Sequence, residues 1–129
     1  MADNIILIDT SILIDYLRKS DKANSRLISL TRREYKFHIS AITNYEIYAG
    51  STVGQQNYWD ELLYKMAVLP FDKQAAKVAV DINNELRRKS KQIAIADLFI
   101  AATAVSNNLS LATLNMKHFE RIDNLQIVE

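Results

Sequence analysis

At 129 residues, 49% of them hydrophobic and 24% charged, the chain is long enough for a core without staples and too apolar to be disordered. A net charge of +1 rules out a globally basic nucleic-acid binder, so any polyanion has to be met by local clusters. With no cysteine, two glycines and one proline, the chain cannot build disulfides, zinc–thiolate sites, thiol nucleophiles or glycine-rich phosphate loops.

The opening MADNIILID is acidic with only a short apolar run, which is not the pattern of a signal peptide. No apolar run approaches the roughly 18 residues that a membrane span needs. A cytoplasmic protein with no membrane partner is the expectation. Ile5 to Asp15 reads IILIDTSILID. Four consecutive aliphatic residues suit a strand buried on both faces of a parallel sheet. Asp9, Thr10 and Ser11 follow without a spacer, and Ile12, Leu13, Tyr16 and Leu17 then fall at helical spacing. The pattern predicts a helix from Thr10 to about Lys19, capped by Asp9, Thr10 or Ser11. Asp9 therefore stands where a central strand ends, the edge at which open α/β sheets bind ligands.

A second helix is predicted from about Ala23 to Arg33, then a short strand over Tyr35 to Ser40 that runs straight into a helix start at Ser40 to Glu46. Gly50 to Gly54 reads as a helix end and turn, Gln55 to Lys65 as a helix, and Ala67 to Leu69, stopped by Pro70, as a strand. Phe71-Asp72 opens the clearest helix, with Ala75, Ala79, Ile82 and Leu86 on one face. It ends in the basic run Arg87-Arg88-Lys89-Ser90-Lys91. Ile95 to Val105, within IAIADLFIAATAV, is apolar nearly all round and predicts a central helix. Ser110 to Thr113 and Leu125 to Val128 read as strands, with Asn115 to Phe119 a turn or short helix between them. Strands alternating with helices imply βαβ units and a mainly parallel sheet, in a single domain over residues 1–129.

Three acids sit in apolar company: Asp9 after Ile-Ile-Leu-Ile, Glu46 between Tyr45 and Ile47, and Asp97 within Ile-Ala-Asp-Leu-Phe. Removing an ionised carboxylate from water costs several kcal/mol unless it is paired, capped or metal-bound. Each has an ordinary explanation. Asp9 can cap its helix, Thr43-x-x-Glu46 fits a capping box, and Asp97 can meet a helix dipole. No lysine or arginine lies within one turn of any of them on its own element. If all three mark helix starts at one edge of a parallel sheet, they repel one another unless a divalent cation sits among them. All-oxygen ligation selects Mg²⁺ or Mn²⁺.

The segments LIDTSILID, TNYEIYAG, IAIADLFIAATAV and LATLNMKHFERI, in that order, resemble the PIN-domain ribonucleases over Ile5 to Val128. The likeness is to the toxin subunits of VapBC-type toxin–antitoxin pairs. The resemblance implies an α/β fold: a PIN-like three-layer sandwich with a central, mainly parallel sheet flanked by helices. It implies a metal-dependent endoribonuclease that hydrolyses a phosphodiester of RNA, for instance tRNA. Matched by motif, Asp9, Glu46 and Asp97 are the catalytic residues and the holders of Mg²⁺ or Mn²⁺. Thr10, Ser11, Thr113 and Asn115 are supporting residues, Asn115 standing where the family often has an aspartate. A homodimer and a cognate antitoxin across the acidic groove are the implied partners. Phosphate contact is expected from Arg87, Arg88, Lys89, Lys91, Lys117 and Arg121. The alternative is a catalytically weak PIN-like module that binds RNA or protein, motivated by the missing charge at Asn115.

Overall fold

Ile5–Ile8 forms β1, the strand on which the others are hung. The computed structural model describes residues 4–129, and residues 1–3 of the acidic opening lie outside the described residues. β1 pairs in parallel with β2 (Lys36–Ser40) on one side and with β4 (Leu111–Ala112) on the other. β3 (Ala67–Leu69) joins the far edge of β2, again in parallel, so the order is β3-β2-β1-β4. The chain steps outward from β1 to β2 to β3, then crosses back to lay β4 on the opposite side of β1. That reversal puts a topological switch point between β1 and β4, where the strand ends splay and leave a crevice.

Helices cover both faces because a parallel sheet is buried on both. Successive side chains of β1 point to opposite sides. Leu7 enters a core with Ala79, Ile82 and Leu86 of α5 (Lys73–Arg88) and with Leu98, Ile100, Ala101 and Ala104 of α6 (Ile95–Ser106). Ile6 and Ile8 enter the other, with Ile12 and Leu13 of α1 (Thr10–Arg18), Leu27 and Leu30 of α2 (Arg26–Arg32), Ile47 of α3 (Ala41–Ala49) and Trp59 of α4 (Val53–Leu63). The face predicted for α5, Ala75, Ala79, Ile82 and Leu86, is the buried face. Phe119 anchors the single turn α7 (Met116–Phe119) in the first of these cores.

Four boundaries differ from the sequence expectation, each for a local reason. The predicted 23–33 helix is a 3-10 turn at Lys22–Asn24 followed by α2, because the Ser25 hydroxyl accepts the Ile28 N–H and starts a new helix. α3 starts at Ala41 with Ser40 as its cap, not Thr43, so Glu46 lies inside the helix rather than at its start. α4 starts at Val53, with the Gln55 side chain accepting the Thr52 N–H, and Gly54 is helical rather than part of a turn. The predicted 125–128 strand is reduced to one bridge, Leu111 to Ile127. Among the described residues no helix is long and apolar enough to cross a membrane.

Candidate active site

The crevice between β1 and β4 is where the predicted residues collect. Asp9 follows β1 directly and caps α1, accepting the Ser11 N–H on Oδ1 at 3.1 Å. The same Oδ1 accepts the Ser11 hydroxyl at 2.5 Å, and Oδ2 accepts the Thr113 hydroxyl at 2.6 Å. Both hydroxyls are aimed from behind by consecutive backbone amides at the end of β4. The Leu114 N–H donates to Ser11 Oγ and the Asn115 N–H to Thr113 Oγ1, each at 2.9 Å. A hydroxyl that accepts from an amide turns its own proton forward, so both protons point at Asp9. The expected support from Asn115 thus comes through its main chain; its exposed side chain makes no hydrogen bond among the described residues.

Asp9 is only 2% exposed and has no cationic partner among the described residues. Burial pushes its carboxyl above the usual range, and the charge of Asp97 adds to the rise. The Ser11 and Thr113 hydroxyls and the Ile12 amide act against it. Asp97 occupies the first turn of α6, and its carboxylate meets His118 Nδ1 at 3.2 Å. Since an ionised carboxylate only accepts, Nδ1 carries the proton in this pair. Asp97 is open to solvent at 21% and His118 at 51%, so the site has a wet mouth beside a dry floor.

Glu46 reaches the rim from the second turn of α3. Its Oε1 lies 2.6 Å from the Thr10 hydroxyl, which in turn lies 3.1 Å from the Thr43 hydroxyl. Thr10 has one proton, and the shorter, charge-assisted contact takes it. Thr43 therefore donates to Thr10, and Ser40 Oγ, 3.4 Å behind, completes a directed hydroxyl chain that ends on Glu46. Sequence reading saw Thr43 only as a cap and gave Ser40 no role in the site. We expect Thr43→Val to fold with a loss of about 1 kcal/mol, since one buried hydroxyl link is gone. Any phosphodiester cleavage should fall by roughly 10-fold or more, as for other partners that orient a ligand. Thr43→Ser should restore it, and a melting curve paired with a cleavage rate checks both effects.

The arrangement differs from the expected meeting of three acids at one point. Asp9 and Asp97 feel one another's charge, but Glu46 bonds Thr10 instead, and among the described residues no three His, Asp or Glu side chains stand close enough to hold one ion. Each carboxylate is instead satisfied by its own neighbours: Ser11 and Thr113, Thr10, or His118. The donor set is nonetheless all oxygen, anionic and free of lysine or arginine partners, the chemistry of a hard divalent cation. His118 as a partner of Asp97 had no signature in the sequence. A cleft of about 400 Å³ opens beyond the 114–115 backbone, lined by Ser11, Ile14, Asp15, Arg18 and Lys19. The six basic residues divide between the end of α5, where Arg88 and Lys89 pair with Glu85 and Lys89 also with Asp123, and the α7 side of the rim.

This fold has known counterparts. The PIN domain family matches residues 6–125. Ribonuclease VapC10 of Mycobacterium tuberculosis is 33% identical over 122 residues, covering 95% of this chain and 91% of that protein. VapBC-1 from nontypeable Haemophilus influenzae superposes with a TM-score of 0.82 at 26% identity, covering 97% of both chains. VapBC2 from Rickettsia felis, solved bound to a promoter DNA fragment, gives 0.80 at 27% identity, covering 96% of this chain and 97% of that one. A strand-end aspartate at the switch point, a helix aspartate beside it and a match that runs through both cores leave one conclusion: the chain belongs to the PIN-domain family, in its VapC branch.

Proposed function

We propose that the protein is a metal-dependent endoribonuclease, the toxin subunit of a toxin–antitoxin pair. The observation that carries this reading is Asp9: a nearly buried carboxylate, uncompensated by any cation among the described residues, held in one orientation by two hydroxyls and within reach of the charge of Asp97. The similarity to a protein named as a ribonuclease supports RNA as the substrate class, and tRNA is one RNA within the proposal. The similarity to VapBC assemblies supports a cognate antitoxin as partner. A homodimer and a cytoplasmic location belong to the same proposal.

Asp9 and Asp97 would hold Mg²⁺ or Mn²⁺, and Glu46 would join them only once an ion draws the three together. Such an ion, when bound, supplies a water of lowered pKa and a positive charge at the scissile phosphate. The chain's own part is preorganisation. Ser11 and Thr113 leave Asp9 one unused lone pair on Oδ2, out of the roughly four a carboxylate has, and so fix where it can ligate. Thr10 leaves Glu46 its Oε2, and His118 leaves Asp97 its Oδ1. Each acid thus keeps an oxygen free of protein donors for a cation.

Purified protein should cut single-stranded or structured RNA with Mg²⁺ or Mn²⁺, stop on addition of a chelator, and resume when Mn²⁺ is restored. Cleavage that persists under chelation would sink the metal dependence. The separation of Glu46 from the aspartate pair, together with the uncharged Asn115, favours a second reading, a binding module without turnover. Calorimetric titration with Mn²⁺ separates the two, and no binding at millimolar metal selects the second.

A further inference from the structure

The six cations expected to meet RNA are not equivalent in the folded chain. Arg88 pairs with Glu85 at 2.5 Å, and Lys89 pairs with Asp123 at 2.9 Å and with Glu85 at 3.5 Å. Glu85 and Asp123, with Asp81, line a cavity of about 540 Å³ that is acidic in character. A strand of phosphates gains little from cations already neutralised beside carboxylates.

Lys91, Lys117 and Arg121 are different. They line one cleft of about 660 Å³ with Ser90, Gln92 and a single acid, Glu120, and none of the three is in an ion pair among the described residues. The cleft is built, not a chance gathering of mobile side chains. Ser90 adopts a left-handed conformation, φ 55°, at the end of α5. Its N–H bonds the Arg87 carbonyl at 3.0 Å and the Lys91 N–H bonds the Leu86 carbonyl at 2.9 Å. That pair of bonds is a Schellman closure, a position that normally favours glycine. It fixes the backbone from which Lys91 projects. Arg121 spans the two walls, with Nη1 3.4 Å from the carbonyls of both Lys91 and Gln92, and keeps its remaining donors for a ligand. Lys117 precedes His118, whose ring touches Asp97, so the cleft and the acidic rim draw on the same short helix, α7.

We propose that this cleft is a subsite for a backbone phosphate of single-stranded RNA flanking the one that is cut, with Lys91, Lys117 and Arg121 donating to its oxygens. The identity of the strand rests on the nuclease reading; the site itself rests on the cleft. Arg87, Arg88 and Lys89 lie outside it.

The test is equilibrium binding of a short fluorescent single-stranded RNA to the whole protein under chelation, so that nothing is cut, across a series of salt concentrations. The double variant Lys91→Ala/Lys117→Ala should lower the slope of log K against log salt by about 0.7, the share of the one single-strand phosphate that is no longer neutralised. Lys91→Arg/Lys117→Arg should recover the wild-type slope, since charge is kept. Arg88→Ala/Lys89→Ala should not change it. No RNA binding by the wild type, an unchanged slope in the cleft variant, or an equal drop in the α5 variant overturns the subsite. Wild-type binding with the expected slope but no cleavage under any cation removes the nuclease reading and leaves the subsite standing.

Discussion

Asp97→Asn is expected to leave the protein folded and to reduce metal-dependent RNA cleavage by more than roughly 100-fold. That floor follows from outer-sphere partners of a metal, whose loss alone costs about 10- to 100-fold; a direct ligand should cost more. The fold should survive because two small effects oppose each other. The variant gives up a favourable charge in the first turn of α6, worth about 0.3–1 kcal/mol. It also removes the charge that disfavours ionisation of Asp9. A circular-dichroism melt beside a cleavage assay with Mn²⁺ reads both. Full activity in the variant would take Asp97 out of the mechanism.

Asp9→Asn should separate activity from stability. The folded carboxyl titrates above its unfolded value, chiefly because it is buried and secondarily because Asp97 is near. The sign of the linkage follows. An acid with a raised folded pKa contributes stability that is complete below the unfolded value, about pH 4, and is lost as pH rises through the folded value. The metal-free wild type therefore loses stability at this group as the pH rises from about 4. Asparagine carries no charge to desolvate, caps a helix as well as aspartate does, and keeps one oxygen for the Ser11 N–H and hydroxyl while its NH2 faces Thr113 Oγ1, an acceptor. Metal-free Asp9→Asn should therefore melt higher than wild type at neutral pH, and the gap should close as the pH is lowered toward 4. Adding Mn²⁺ should raise the wild type alone, by about 2.7 kcal/mol at a hundredfold excess over Kd. Cleavage should be lost. A metal-free variant no more stable than wild type would mean that burial of Asp9 carries no cost.

Much of this was legible in the residues because it depends on short-range pattern. The aliphatic run into Asp9 marks both the central strand and its end, and the spacing of Ala75, Ala79, Ile82 and Leu86 marks the buried face of α5. Adjacent hydroxyls were ambiguous. Ser40 and Thr43 both lie at a strand–helix junction with no loop between, and local propensity does not say which caps; Ser40 does, and Thr43 is freed to point at Thr10. Partners distant in the chain left no mark. Nothing in KHFER announces that His118 meets Asp97, and nothing in LATLN announces that two main-chain amides aim the hydroxyls around Asp9. The basic run after α5 reads as one cluster, yet folding divides it between an acidic neighbourhood and a free cleft.

The clasp around Asp9 ties residues 9 and 11 to residues 113 and 114, more than a hundred positions apart. All three acids precede β4, so a ribosome will have synthesised every carboxylate while Thr113 and the two amides behind the hydroxyls are still unmade. A nascent chain stopped before residue 111 carries the whole acidic set and has no assembled centre. Parallel pairing of such remote segments is among the slower events of folding. The pocket around Asp9 is therefore completed only when the last strand of the sheet docks.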